Sequence, residues 1–190
     1  MQQHNKLVNH FLTPHNVGDA GEPSFTGRAG SFTCGATVCT SIQIDESHNI
    51  ADAKFRAAGC EVLIASLSII TGRIIGTSTA DAATKVTRAE SFAAELETGP
   101  DKNHCVQLAC DAILNSIRAY SDAAREEWNG DEALICTCFF VSEQTIEREI
   151  NHRGLTTVRE VTQACNAGGG CGSCQQLILD ILQSAMEKRF

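Results

Sequence analysis

Four of the ten cysteines form two closely spaced pairs near the C-terminus, Cys136-x-Cys138 and Cys171-x-x-Cys174. Four thiolates presented from two loops can bind zinc or an iron–sulfur cluster. Residues 168–170 are all glycine, so the backbone can fold tightly around the sulfurs and direct N–H groups towards them. The spacing therefore predicts a metal centre in this region and leaves zinc and iron both open.

The first of these pairs has an unusual spacing for zinc. Zinc ribbons commonly use two C-x-x-C pairs placed on β-turns, whereas Cys136-x-Cys138 has a single intervening residue and its predicted surroundings are helical. This difference favours iron over zinc at the C-terminal centre.

Three further cysteines, Cys34, Cys60 and Cys105, are far apart in sequence, but each adjoins a glycine or a histidine. Cys105 precedes a long helical pattern, where the helix dipole favours a thiolate. Its neighbour His104 is a candidate ligand because imidazole binds the same metals as thiolate. These residues predict a second, separate site.

The other unpaired cysteines have less specific surroundings. Cys110 shares a helical face with apolar residues, which predicts core packing, and packing is also the favoured interpretation for Cys165. Cys39 alternates with apolar strand residues, so both burial and exposure are open.

Charge and composition exclude several functional classes. The formal net charge is −8 and no run of basic residues is present, which argues against nucleic-acid binding. The N-terminus lacks a signal-like segment and no apolar run is long enough to span a membrane, so a cytoplasmic protein with no membrane partner is expected. Cysteines in that reducing compartment more often bind metals than form disulfides. Phosphate-loop, dinucleotide and serine-nucleophile motifs are missing, and an enzyme is not predicted.

The first part of the chain predicts an α+β domain, a small antiparallel sheet with helices. Periodicity predicts a helix from Asn5 to Leu12, then a glycine-punctuated stretch with no assigned element, then two pairing strands over Ala36–Asp45 and Ile50–Ala58. A buried helix over Glu61–Ile75 follows, and Thr87-x-x-Glu90 predicts a capping box for another helix.

The last part predicts a small all-α domain. Residues 121–132 are polar and acidic and indicate a linker, which gives domain boundaries of 1–125 and 133–185. Three helices are then predicted from their caps: Ser142, the box Thr157-x-x-Glu160 and the box Ser173-x-x-Gln176. So short a unit buries little core, and a bound metal centre is expected to contribute to its folding.

Two resemblances follow from these motifs. Ile135-Cys136-x-Cys138-Phe139 with the glycine-preceded Cys171-x-x-Cys174 resembles the bacterioferritin-associated ferredoxin-like (BFD-like) [2Fe–2S] domain. The N-terminal part resembles the NifU/IscU scaffold family through four motifs in order: His10-Phe11-x-x-Pro14-x-Asn16-x-Gly18, Cys34-Gly35, Ala58-Gly59-Cys60 and Lys102-x-His104-Cys105.

The resemblance implies a scaffold for iron–sulfur cluster assembly. Cys34, Cys60 and Cys105, with His104 as the favoured fourth ligand, would hold a transient cluster or zinc. The cysteines that would hold a permanent [2Fe–2S] cluster are Cys136, Cys138, Cys171 and Cys174. The implied partners are a cysteine desulfurase, apo iron–sulfur proteins and, as an open arrangement, a second copy of the chain. An electron carrier with a docking domain is the main alternative, and a zinc-filled regulatory protein is a third.

The chain departs from the scaffold pattern at two places. Ala36 follows Cys34-Gly35 where the family has aspartate, so slower cluster release is expected. Residues 97–102 retain only one proline and Lys102 of the family's chaperone-docking loop, which makes docking of an Hsp70-type chaperone doubtful. Lys102 could attract a negatively charged cluster or persulfide, or be an ordinary solvated lysine.

Overall fold

A computed structural model describes residues 6–127 and 132–188. The chain begins with helix α1 (Lys6–Leu12), followed by strands β1 (Phe25–Gly30), β2 (Thr37–Ile44) and β3 (Ile50–Ala58). The strands form an antiparallel sheet in the order β1-β2-β3. The predicted antiparallel pair is confirmed, and the predicted helix agrees from Lys6 onwards, since Asn5 lies outside the described residues.

Strand β1 has no counterpart among the predicted elements. Its sequence, FTGRAG, contains two glycines and no alternating apolar pattern, so only pairing with β2 identifies it as a strand. The register between β2 and β3 also shifts at Gln43 and Ile44. Because of this shift, Ile50 is buried and Ala51 is exposed, whereas simple alternation had placed Ala51 on the apolar face.

Four helices and a short 3-10 turn complete the N-terminal domain: α2 (Glu61–Ile74), α3 (Thr79–Val86), α4 (Ala89–Glu95), the turn Pro100–Lys102 and α5 (Asn103–Glu127). The buried helix predicted over Glu61–Ile75 is confirmed. The capping box predicted at Thr87 is wrong, because Thr87 terminates α3 and its hydroxyl donates to the carbonyl of Thr84 (2.8 Å). Helix α3 itself begins with a side-chain cap, because the Ser78 hydroxyl accepts from the amide of Asp81 (3.0 Å).

Helix α5 packs directly on the sheet at Gly27 of β1. A Cβ at Gly27 would lie 2.2 Å from the carbonyl oxygen of Ala112, so only glycine permits this approach. At the same contact Thr40 Oγ1 donates to the carbonyl of Ala112 (2.9 Å) and lies 2.7 Å from Ser116 Oγ. These bonds satisfy hydroxyls that are fully buried between the helix and the sheet.

Helix α5 is longer than its sequence pattern predicted. Residues 121–127 belong to the helix, whereas the whole of 121–132 was predicted to be a linker. Residues 121–127 contain no proline or glycine and are rich in helix-forming residues, so the polarity of this segment marks a solvated helix face. Residues 128–131 of the predicted linker lie outside the described residues. No helix in the described ranges is both long and apolar enough to cross a membrane.

The C-terminal part is helical, as predicted, with a two-stranded ribbon at its start: β4 (Leu134–Cys136), β5 (Val141–Ser142), α6 (Glu143–Arg153), α7 (Val158–Cys165) and α8 (Gln175–Glu187). Ser142 caps α6 and Thr157 forms a capping box with Glu160, both as predicted. The box predicted at Ser173 is wrong. Cys174 is the N-cap of α8 without a side-chain cap, and Ser173 Oγ lies 3.0 Å from Cys171 Sγ instead.

The two parts of the chain have separate apolar cores that meet at Phe139. This side chain packs against the core of each part. Nearby, the amide of Ala80 in α3 donates to Oδ1 of the buried Asn166 (3.2 Å), and Gly169 lies so close that an added Cβ would be 2.1 Å from Ala80 Cβ. The loop before Cys171 is therefore packed against the N-terminal domain.

Candidate metal centres

Cys34 lies at the tip of the connection between β1 and β2. The loop closes through bonds from the Ser31 amide to the Ala36 carbonyl (2.9 Å) and from the Gly35 amide to the Ser31 carbonyl (2.8 Å). Gly35 has a φ of +69°, which favours glycine at this position. Cys34 is exposed, and hydrogen bonds from the Ser31 side chain and then the Ala36 backbone lower the pKa of its thiol. The loop thus presents a reachable thiol with a lowered pKa.

Cys60 and Cys105 are brought together from different elements. Cys60 ends the connection from β3 and is the N-cap residue of α2, while Cys105 is in the first turn of α5. Their sulfurs lie 3.2 Å apart. Burial, followed by the contact with Cys60, raises the pKa of Cys105 to about 12. Burial therefore opposes the ionisation that a position in the first turn of a helix would favour.

His104 is oriented towards the same pair. Its Nδ1 lies 2.9 Å from the carbonyl oxygen of Asp101 and its Nε2 lies 3.2 Å from Cys105 Sγ. Because a carbonyl only accepts hydrogen bonds, Nδ1 carries the proton in this arrangement and Nε2 keeps a lone pair on the cysteine side. This tautomer is the one that a metal ligand requires.

Lys102 and Ala36 border this site. The charge of Lys102 acts to lower the pKa of both Cys34 and Cys105, although burial dominates at Cys105. Ala36 is buried in the core, and a Cβ at Gly59 would lie 3.2 Å from its methyl group. The side chain at position 36 therefore faces the residue immediately before Cys60.

In the structure the four C-terminal cysteines form two spatial pairs. Each pair brings together one cysteine of the Cys136-x-Cys138 motif and one of the Cys171-x-x-Cys174 motif. Sγ of Cys138 lies 3.4 Å from Sγ of Cys171, and Cys174 is in side-chain contact with Cys136. The two pairs differ in depth, since Cys136 and Cys174 are buried whereas Cys171 is exposed. One pair thus lies inside the domain and the other forms its outer edge.

The glycine loop encloses this centre closely. A Cβ at Gly170 would lie 2.8 Å from Cys138 Cβ and 3.0 Å from its Sγ, so any larger residue would displace the thiol. Gly168 and Gly172 have φ values of +84° and +76°. Backbone groups of Gly168 and Cys171 hydrogen-bond to Cys174 and Cys138, respectively. Amide donors of this kind stabilise thiolate ligands.

The thiol pKa values follow the same division by depth. Hydrogen bonds from Ser173 lower the pKa of the exposed Cys171 to about 7. Burial, followed by the proximity of Cys136, raises the pKa of Cys174 to about 11. For Cys138, a backbone bond from Cys171 lowers the pKa, but burial and the neighbouring thiol outweigh it and the net shift is upwards. The Cys174 thiol therefore ionises more readily with a metal bound than without one.

The C-terminal thiols are arranged as two adjacent pairs. A [2Fe–2S] cluster has two irons, each with its own pair of protein ligands. Two adjacent thiol pairs enclosed by amide donors fit that requirement at the C-terminal centre.

The remaining cysteines are placed as expected or as left open. Cys110 and Cys165 are buried, and Cys165 Sγ contacts the carbonyl oxygen of Val161 (3.3 Å). Cys39 is half-buried on β2. Two polar neighbours had not been predicted as cysteine partners: Ser31 was not singled out from the sequence, and Ser173 was predicted only as a helix cap. Their position two or three residues from a cysteine was the available signal.

Comparison with known proteins places this architecture in a family. Residues 2–127 match the family model of the NifU-like N-terminal domain. The chain belongs to the NifU-like family. Residues 134–184 of this NifU-like chain match the model of the BFD-like [2Fe–2S] binding domain. Both resemblances drawn from the sequence are confirmed.

Individual relatives support the same assignment. The nitrogen fixation protein NifU of Nostoc sp. strain PCC 7120 is 37% identical over 195 residues, covering 97% of this chain and 64% of the relative. NifU of Azospirillum brasilense is 32% identical over 187 residues, covering 96% of this chain and 60% of the relative. The NifU-like chain thus spans less than two thirds of the length of these relatives.

Shorter relatives match the N-terminal domain. The iron–sulfur cluster assembly scaffold protein IscU of Haemophilus influenzae is 37% identical over 118 residues, covering 60% of this chain and 92% of the relative. A candidate iron–sulfur cluster assembly scaffold for the SUF system from Fervidobacterium islandicum AW-1 has a solved structure that superposes with a TM-score of 0.51. It is 17% identical and covers 62% of this chain and 96% of that one. This superposition supports the fold.

Proposed function

We propose that this NifU-like chain is a scaffold for iron–sulfur cluster assembly. In this proposal Cys34, Cys60 and Cys105, with His104, hold a cluster that is cargo. A resident [2Fe–2S] cluster is held by Cys136, Cys138, Cys171 and Cys174. A cysteine desulfurase supplies sulfur, and apo iron–sulfur proteins receive the finished cluster. A cytoplasmic location and a homodimer stay predictions.

The observation that carries the proposal is the composition of the N-terminal site. Cys60 and Cys105 lie 3.2 Å apart, His104 directs a lone pair to Cys105, and Cys34 stands on an exposed loop. Three separate segments supply these side chains, so no single loop closes around the cargo. Such a site can bind iron and sulfide and still release them, unlike the enclosed C-terminal centre.

Cys34 is the residue best placed to accept sulfur. Its thiolate would attack the outer sulfur of a desulfurase persulfide, forming a new S–S bond while the desulfurase cysteine leaves as a thiolate. The transferred sulfur must then gain two electrons to become sulfide, so a reductant is a required co-reactant. When bound, a [2Fe–2S] cluster at the C-terminal centre supplies one electron at a time. The exposure of Cys34 keeps the nucleophile reachable, and its bond from Ser31 lowers the pKa of the thiol.

The experiment that tests the proposal measures iron and acid-labile sulfide per chain. The protein is loaded anaerobically with a cysteine desulfurase, cysteine and ferrous iron, then incubated with an apo-ferredoxin and separated from it. We expect part of the iron and sulfide to move to the acceptor while a [2Fe–2S] spectrum remains on the chain. Retention of all the iron would contradict the scaffold function.

An electron carrier is the second candidate function. The exposed Cys171 and its partner Cys138 form an outer edge at which an electron could leave a bound cluster. Ala36 also favours this alternative, because a hydrophobic methyl group replaces a carboxylate that could help to open the N-terminal site. Cluster transfer to an acceptor separates the two functions, since an electron carrier passes electrons and keeps its iron.

A further inference from the structure

A groove separates helix α5 from the outer edge of the C-terminal centre. Its volume is about 580 Å³, and one wall is the α5 segment from Leu114 to Arg125. The opposite wall contains Cys138, Phe139, Gly170 and Cys171. The exposed thiol pair of the C-terminal centre therefore faces a helix of the N-terminal domain.

Two arginines of α5 line this groove. Arg118 and Arg125 are seven residues apart, which places them on one face of the helix, two turns from each other. Nη1 of Arg118 donates to Asn115 Oδ1 (3.0 Å), and Cζ of Arg125 lies 4.7 Å from the ring centre of Phe140. These contacts orient the guanidinium groups, and within residues 6–127 and 132–188 neither group forms a salt bridge with a carboxylate. Among the described residues of the lining, Asp122, between the arginines on the same wall, is the one that is acidic.

We infer that Arg118 and Arg125 set the reduction potential of the [2Fe–2S] cluster at the C-terminal centre across this groove. A cluster held by four thiolates is negatively charged, and reduction adds one more negative charge. Nearby cations therefore stabilise the reduced state more than the oxidised state and raise the potential, while Asp122 acts in the opposite direction. This inference rests on the [2Fe–2S] assignment in the proposed function.

The same arginines lie far from the N-terminal site. Cys105 and Arg118 are thirteen residues apart on α5, or about 20 Å along the helix at 1.5 Å per residue. At that distance charges near the surface are largely screened in physiological salt. Arg118 and Arg125 thus act through their charge on the C-terminal centre and not on the N-terminal site, although they belong to the N-terminal domain.

The docking of the two domains holds the groove in shape. Phe139, next to Cys138, packs into both cores, and Asn166 accepts a bond from the Ala80 amide. The contact between Gly169 and Ala80 lies one residue before Gly170 in the groove lining. These contacts keep the arginines at a fixed distance from the outer thiol pair, which a tuning role requires.

The test is a redox titration of the full-length, cluster-loaded chain and its variants, followed by visible absorption and electron paramagnetic resonance. Arg118→Gln and Arg125→Gln should each shift the potential downwards, and the double variant should shift it further. Asp122→Asn should shift it upwards. Arg56→Gln is the matched control, since it removes one positive charge from β3 outside the groove and should leave the potential unchanged.

Two further measurements exclude a merely structural effect. Arg118→Lys and Arg125→Lys keep the charge and should restore a potential close to that of the parent. The shifts should also shrink when the salt concentration is raised, as expected for a charge effect. A double Gln variant that holds a full cluster at the parental potential would overturn the inference, as would an equal shift in Arg56→Gln.

The outcome is distinguishable from a failure of the proposed function. If the parent chain binds zinc, or gives no [2Fe–2S] spectrum, the assignment of the C-terminal centre is wrong. If the spectrum is normal and only the charge variants fail to act, the assignment stands and the tuning role is wrong. If a Gln variant loses its cluster, Asp122→Asn and the Lys variants still decide the question.

Discussion

The two cysteine sites of this chain differ in how their ligands are supplied. At the C-terminal centre two short motifs, Cys136-x-Cys138 and Cys171-x-x-Cys174, supply all four cysteines. The glycine loop packs against the thiols, and two of the four cysteines are buried. At the N-terminal site three cysteines come from three segments that are far apart in the sequence, and Cys34 is exposed. Enclosure favours retention of a cluster and openness favours exchange, and the proposed function rests on this difference.

Removing one ligand of the enclosed centre gives the largest expected effect. We predict that Cys171→Ser abolishes the cluster that resists transfer, because the outer thiol pair loses one of its two sulfurs. The labile iron at Cys34, Cys60 and Cys105 should remain. Iron and sulfide analysis before and after incubation with an apo-acceptor measures both pools.

Cys165→Ser is the matched control for that variant. This thiol is buried in the same domain and donates to the carbonyl of Val161 (3.3 Å), so its replacement should leave both pools of iron in place. Loss of all bound iron in Cys171→Ser would contradict the division into two independent sites.

A second variant tests whether the two regions are mechanically independent. In Gly169→Ala the new methyl group would lie 2.1 Å from Ala80 Cβ, so the contact between the domains must open or shift. We predict a loss of about 1–3 kcal/mol in the free energy of unfolding, the usual cost of overpacking. Urea unfolding followed by circular dichroism measures it.

The pairing of Gly169 with Ala80 provides its own control. Ala80→Gly in the Gly169→Ala background removes the opposing methyl group and should recover part of the stability. Gly30→Ala, whose new methyl group would meet nothing nearer than 3.6 Å, should be close to neutral. An unchanged unfolding midpoint in Gly169→Ala would show that the domains do not depend on this contact.

A third variant makes the open site more open. Ala36→Asp places a carboxylate beside Gly59 and Cys60, where a hard oxygen ligand could compete with the thiolates for iron. We predict that cluster transfer accelerates on the order of tenfold, which corresponds to about 1.4 kcal/mol in the barrier. The measurement is the rate at which an apo-ferredoxin acquires its spectrum.

Ala36→Ser is the control, because it adds a polar atom without an anionic ligand and should leave the rate near that of the parent. Equal rates for the parent and Ala36→Asp would show that the side chain at position 36 does not govern release. The resident C-terminal cluster should be unaffected in both variants, which keeps the comparison between the sites intact.

The smallest expected effect concerns pH and the boundary between the regions. Burial lowers the pKa of His48, while the charges of Glu149 and Asp45 oppose the shift and Arg153 adds to it. Its Nδ1 lies 2.6 Å from the hydroxyl oxygen of Tyr120. In the unfolded chain a histidine takes up a proton near pH 6.5, so the unfolded state binds more protons as the pH falls through that value. The free energy of unfolding should therefore decrease on acidification below about pH 6.5.

Urea unfolding between pH 7.5 and pH 5.5 measures this dependence. His48→Gln removes one titrating group, keeps a polar side chain beside Tyr120 and should reduce the slope of the profile over that interval, while His10, whose pKa burial also lowers, keeps the remainder. Parallel profiles for the parent and the variant would show that His48 does not contribute to the pH dependence of folding.

Much of the fold was predictable where a short segment determined it. Val38 and Ile42 alternate with polar residues, and Thr157 with Glu160 forms a capping box, so one strand and one helix start followed from local patterns. The same type of signal failed at Thr87 and Ser173. The Thr87 hydroxyl bonds to the Thr84 carbonyl and the Ser173 hydroxyl to Cys171 instead, because neither residue is the N-cap of the helix that follows it.

The sequence by itself determined which residues could bind iron, because the chemistry of thiolates and the spacing of the cysteines within each motif are local properties. Only the tertiary structure decided that Cys60 meets Cys105, that burial raises the pKa of Cys105, and that α5 places Arg118 opposite the C-terminal centre. Those features depend on distances between segments far apart in the chain. Such distances are set by the packing of α5 on the sheet and of one domain on the other.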